Sequence, residues 1–217
     1  MLVVIRRQSP IRTRGAAVPP TETTRSRAPR ADAQRNRDLI LDTAEQHFAE
    51  HGVRGSLDAI AKRAGIGAGT LYRHFPTREA LLAALLADRD DALVARRESL
   101  RDGSVDPAEA LDGWLRAVVD WAGAYEGLPD PLRAATNADS SPLATTCEGF
   151  VTTTAEFLEA AQRDGRARSD VRARDLFLAA LAQSWVRGAA LADPTSGTAL
   201  AALTRSGWET SPGPGRG

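Results

Sequence analysis

The sequence predicts an all-α fold: a three-helix N-terminal head followed by a larger helical body. Three observations carry this. Apolar residues recur at i, i+3, i+4 and i+7 along the longer segments, the spacing of one helix face. Long runs of strand formers are absent, and Ala, Leu and Arg dominate a 217-residue chain that is 42% hydrophobic and only 5% aromatic. Glycine, or an Asp-Gly or Asp-Pro pair, punctuates stretches of helical length.

Residues 1–31 are rich in Arg, Pro, Ser and Thr, lack periodicity, and are expected to be disordered. Residues 1–37 hold nine arginines against Glu22 and Asp32, a net +7 that leaves residues 38–217 at −7. This reads as a basic arm on a mildly acidic body. The arm either contacts nucleic-acid phosphates or is a solvated tail.

Residues 32–77 form the head. A first helix is expected from about Ala33 to His51, capped by Asp32, stopped by Gly52, with Leu39, Ile40, Thr43, Ala44 and Phe48 as its apolar face. His47 and His51 stand four apart, but with no third ligand nearby they read as ordinary side chains near a helix C-terminus. Ser56 caps a second helix carrying Leu57, Ile60, Ala61 and Ala64. Gly65 stops it, because only glycine enters the left-handed region at little steric cost. From Ala68 a short third helix turns Leu71 and Phe75 inward. Pro76 and Thr77 then start a fourth.

Residues 78–209 form the body, and 210–217 a disordered tail. The fourth helix is expected to run unbroken from about Arg78 to Arg101, roughly 36 Å at 1.5 Å per residue. Asp106 and Pro107 start a helix to about Tyr125. Further helices are expected at about 131–136, 143–163, 172–192 and 197–208.

Two short helices around a glycine turn make a helix-turn-helix, whose second helix is shaped for a DNA major groove. The run AIAKRAGIGAGTLYRHFPTREALL, with a helix before it and a long one after, resembles the TetR family of bacterial transcriptional regulators. The resemblance covers about residues 33–85. It rests on Phe48, Gly52, Ile60-Ala61, Ala64-Gly65, Gly69-Thr70-Leu71-Tyr72 and His74-Phe75. Arg78 stands where many members have lysine.

The resemblance implies a homodimer on a palindromic DNA operator, released by a small apolar or amphipathic ligand. The alternative is a ligand-independent or architectural DNA-binding protein. The expected DNA contacts are Arg54, Ser56, Gly67, Gly69, Thr70, Tyr72, Arg73, His74 and Arg78. By resemblance Thr70 donates to a phosphate, and Tyr72 and His74 reach phosphate or base edges. Arg73 either reads guanine or is solvated. Arg54 and Arg78 flank the reading helix, placed to clamp the DNA backbone. Gly69, inside a helix, costs about 1 kcal/mol relative to alanine. Either a phosphate or the second helix must come close to it.

In the body, Leu111, Trp114, Val118, Trp121 and Tyr125 recur at helical spacing. With Phe150 and Phe157 they are either core or the walls of an apolar ligand pocket. Phe177, Leu181, Trp185, Gly188, Ala189 and Leu203 are expected at a dimer interface. Cys147, the single cysteine, excludes an internal disulfide and fits a cytoplasmic protein. No nucleophile motif, metal set or phosphate loop appears, so no cofactor and no enzyme activity are expected, and no segment suits a membrane.

Overall fold

The computed structural model describes residues 27–87, 90–136, 141–189 and 192–210, with side chains from residue 32 and, after the first gap, from residue 92. It divides into two units, residues 1–35 and 36–217. In the first, only the start of helix α1 (Arg27–His51) is described, with an Asp32–Arg35 ion pair on its surface. The helix therefore begins six residues before the expected Ala33. Residues 27–31, expected to be disordered, are its first turns. The rest of the basic arm lies outside the described residues, as does the tail from 211.

The second unit opens with the remainder of α1. Ile40, Leu41, Ala44 and Phe48 are buried, whereas Leu39, expected inside, is exposed. Helices α2 (Leu57–Arg63) and α3 (Ala68–His74) follow at the expected positions. The Ser56 hydroxyl accepts from the Ala59 amide at 3.3 Å, closing the first turn of α2. Gly65 sits at φ 69°. There its amide donates to Lys62 at 3.1 Å and the Ile66 amide donates to Ala61 at 3.0 Å. This paired closure of helix carbonyls needs a left-handed residue, and so selects glycine. Ile60, Leu71 and Phe75 meet the α1 face in one core, continued by Leu81, Leu82, Leu85 and Leu86.

Those leucines belong to α4 (Arg78–Ala87); α5 (Asp90–Arg101) follows. The structure thus describes the expected fourth helix as two segments, with residues 88–89 outside the description. The body is built around α6 (Pro107–Ala122), which packs on α5, α8 (Ala144–Arg163) and α9 (Ala173–Val186). Asp106 caps α6 by accepting from Ala108 at 2.9 Å and Glu109 at 3.3 Å, with Pro107 in the first turn, where a missing N–H costs nothing. The Trp114 indole donates to Thr154 at 2.9 Å, and Thr154 donates on to the Phe150 carbonyl at 2.7 Å, so this buried polar pair is satisfied. Helices α7 (Pro129–Ala135) and α10 (Ser196–Trp208) complete the body. Among the described residues the only extended pairing is an isolated antiparallel bridge between Ala167 and Glu209.

Helix α9 ends at Val186, not near 192. Beyond it the amides of Gly188 and Ala189 bond three residues back, to Trp185 at 3.2 Å and Val186 at 2.9 Å. These tight bonds turn the chain, so neither residue continues the helical stripe.

Head and body meet where the α1–α2 loop crosses the turn after α6. The Val53 amide donates to the Glu126 carbonyl at 2.8 Å. A Cβ at Gly52, which has φ 68°, would stand 2.9 Å from that same oxygen, so glycine is required twice over. The Phe48 and Tyr125 rings meet edge to face at 6.3 Å beside it.

Candidate nucleic-acid interface

Leu71 fixes the orientation of α3, since its burial in the head core leaves the opposite side facing out. Gly69, Tyr72 and Arg73 are exposed there, and Thr70 is half-buried among them. Gly69 and Arg73 are four apart, Thr70 and Arg73 three, so they share one face. Arg73 folds back on the helix, donating from Nε to the Gly69 carbonyl at 3.1 Å and from Nη2 to the Thr70 hydroxyl at 3.0 Å. His74 is half-buried, its ring 6.4 Å from that of Phe75.

Gly69 decides between the two readings of its presence. A Cβ there would meet no atom within 4 Å, and the same holds at Gly67, the N-cap of α3. Packing on α2 therefore does not account for Gly69. The backbone is bare toward solvent on the face that carries Tyr72 and Arg73.

Arg78 turns inward. Its Nη1 donates to the carbonyls of Val53 and, at 2.6 Å, Gly55, and its guanidinium lies 6.0 Å from the Phe48 ring centre. One terminal nitrogen of the group thus holds the α1–α2 loop, a role that sequence spacing did not show. Arg54, by contrast, is exposed in that loop, and Ser56 is occupied as the cap of α2.

The head has braces that sequence spacing did not show. Arg63 of α2 reaches back to α1, bonding Glu50 at 2.7 and 3.0 Å and Gln46 at 3.1 Å. Hydrogen bonds from Arg63 hold the Glu50 carboxyl below the usual range. Arg37 lies 4.9 Å over the Phe75 ring. His47 and His51 stack at 4.4 Å between ring centres, and His51 Nδ1 lies 3.1 Å from the His47 carbonyl, so they do not converge on an ion. Burial, then the neighbouring His51 and Arg63, lower the His47 pKa, so the ring is neutral at pH 7. Among the described residues no group of three or more His, Cys, Asp or Glu is placed to hold a metal.

With this geometry the comparisons with known proteins are direct. A model described as "Bacterial regulatory proteins, tetR family" matches residues 40–85, and one described as "Transcriptional regulator SbtR-like, C-terminal domain" matches residues 106–210. A TetR transcriptional regulator from Streptomyces coelicolor has a solved structure that is 33% identical, covering 81% of this chain and 99% of that one, with a TM-score of 0.52. The chain belongs to the TetR family. Curated relatives match over about a third of the chain. The regulator UidR of Escherichia coli K12 is 42% identical over 71 residues, 32% of this chain and 36% of UidR. The repressor KstR2 of Mycobacterium tuberculosis is 38% identical over 82 residues, 37% of this chain and 41% of KstR2. The chain thus spans well under half the length of these relatives. The families and relatives matched are transcriptional regulators, not enzymes. Among the described residues no helix is long and apolar enough to cross a membrane.

In this TetR-family body the expected pocket residues separate. Leu111 and Val118 are fully buried core. Trp121 packs its ring 4.4 Å from Phe150, and Phe157 stacks on Trp114 at 5.8 Å. Only Trp114 and Phe150 reach a groove, of about 540 Å³, between α5 and α8. Tyr125 lines a different cleft, beside the head. The expected interface residues separate too. Phe177 and Leu181 are buried in the protomer's own core, a correction, because α6 and α8 already cover that side of α9. Trp185 and Leu203 are 56% and 66% exposed, and Gly188 and Ala189 lie in the turn beyond α9. Cys147 is buried, its thiol 3.6 Å from the Leu132 carbonyl, and burial pushes its pKa up to about 11. The thiol form therefore prevails at neutral pH.

Proposed function

We propose that this TetR-family protein is a homodimeric repressor that binds a palindromic operator through α3 and is released by a small molecule held in the body. The observation that carries the DNA reading is the bare backbone at Gly69 on the face that carries Thr70, Tyr72 and Arg73. A phosphate can approach the Gly69 backbone, while Tyr72 and an unfolded Arg73 reach the groove edge. The names of relatives support repression: KstR2 is described as a transcriptional repressor. The groove at Trp114 favours a ligand-responsive regulator over a ligand-blind DNA binder.

The test is selection of sites from random duplex DNA, followed by gel-shift titration. A two-fold-symmetric site is expected, its half-sites about 34 Å apart or a multiple of that. Absence of any enriched symmetric site would overturn the reading. Two substitutions sharpen it. Gly69→Ala raises helix stability by up to about 1 kcal/mol, since nothing blocks the methyl group. The same change weakens operator binding, because the methyl group meets the phosphate. Tyr72→Ala weakens binding at least tenfold with thermal stability unchanged; unaltered binding would remove Tyr72 from the interface.

A further inference from the structure

We propose that the groove between α5 and α8 takes a monoanionic amphiphile, a carboxylate carried on an apolar body. The inference rests on the ligand-responsive reading above and names its ligand class. The groove has a charged end and an apolar end. Arg101 of α5 pairs with Glu156 of α8, which marks the charged end. Leu93 and Val94 line the α5 wall two turns earlier, about 12 Å away at 1.5 Å per residue. Trp114 and Phe150 also line the groove, their ring centres 5.9 Å apart.

The charge favours an anion. Two guanidiniums, Arg97 and Arg101, line the groove against one carboxylate, Glu156. Glu98 bridges both arginines, at 3.0 and 3.3 Å, but its side chain is 55% exposed and screened by solvent. The described bonds of Arg97 engage Nε alone. A carboxylate suits its outer nitrogens, and Thr152 and Thr153 also line the groove. A dianion would be repelled by Glu156.

Gly149 also lines the groove. It stands inside α8 beside Phe150, where a Cβ would meet no atom within 4 Å. Nothing in the chain requires glycine there, and glycine weakens a helix relative to alanine. A side chain at this position would fill the groove over Phe150.

The experiment uses the full chain and three ten-carbon probes, decanoate, decanol and decyltrimethylammonium, in calorimetric titration, with gel shifts on the selected operator in parallel. Decanoate binds at least tenfold more tightly than the other two. Arg97→Gln removes that preference and leaves decanol unchanged. Gly149→Leu weakens all binding at least tenfold, with the melting temperature retained or raised. Equal affinities, a preference for the cation, no binding by any probe, or a carboxylate preference that survives Arg97→Gln overturns the proposal. Decanoate binding of the expected pattern without DNA release would instead leave the groove assignment standing and sink the ligand-responsive reading.

Discussion

Arg78 shows how one residue type at one position can serve either of two ends. Its place at the start of α4, beside the reading helix, suggested a phosphate clamp, and its charge fits that task. The structure turns the guanidinium inward, to the carbonyls of Val53 and Gly55. Sequence spacing could not tell these apart, because both need a long cationic side chain in the same region. Gly69 is the opposite case. Its cost within a helix was legible, and open space at its Cβ position then removed the packing explanation. Hydrogen bonds to a charged donor contribute about 1.5–3 kcal/mol, so Arg78→Ala should lower the unfolding free energy by about that much in urea titration. Arg78→Lys should recover only part, since an ammonium lacks the planar fork. The two roles separate in the salt dependence of operator binding. A lost phosphate contact would reduce the slope of log K by about 0.9, whereas a loosened loop leaves the slope unchanged and lowers K alone. The unchanged slope is the expected result.

At the scale of elements, most helix starts were legible, that of α1 excepted, and several ends were not. Ser56, Asp106 and Pro107 act through their own local bonds, so the sequence states them directly. The end of α9 depends on a turn at residues 187–189 that no nearby proline or N-cap announces, and the expected stripe ran through it. The docking of α10 was equally hidden. Trp208 is its buried residue, and Arg205 secures it with bonds to Glu209 at 2.9 and 3.0 Å and across to Asp112 of α6 at 3.3 Å, plus Glu109. Arg205→Met should destabilise the protein by about 1–2 kcal/mol at pH 7, discounted for partial exposure. Bonds from Arg205 hold the Glu209 and Glu109 carboxyls below their ordinary value of 4.5. A lowered carboxyl pKa stabilises the fold above the unfolded value, and that stability is lost as pH falls through the folded one. The difference in melting temperature between wild type and Arg205→Met should therefore be full at pH 7 and shrink below pH 4.5.

At the scale of the whole molecule, the open question for any apolar stripe is whether it packs on its own chain or on a second copy. The sequence placed Phe177, Leu181, Trp185 and Leu203 together, because core and interface demand the same chemistry. Burial separates them. Leu181 is 3% exposed, while Trp185 and Leu203 stand 56% and 66% exposed. Trp185 is flanked by apolar hollows, one lined by Leu178, Ala182 and Val186, the other by Ala189, Ala192, Ala199 and Leu200. A continuous exposed apolar surface of this kind marks an interaction site. It lies on α9 and α10, and α3 contributes no residue to either hollow. Trp185→Ala combined with Leu203→Asp should therefore give a monomer in sedimentation equilibrium, with helix content kept by circular dichroism. On the proposed homodimeric reading, operator affinity should fall at least 100-fold, since one short reading helix then binds without its partner. Leu181→Asp provides the contrast. A charge buried in the protomer core should unfold the protein, not dissociate a folded dimer. If the exposed pair unfolds the chain as Leu181→Asp does, or leaves a dimer intact, the two-fold axis lies elsewhere.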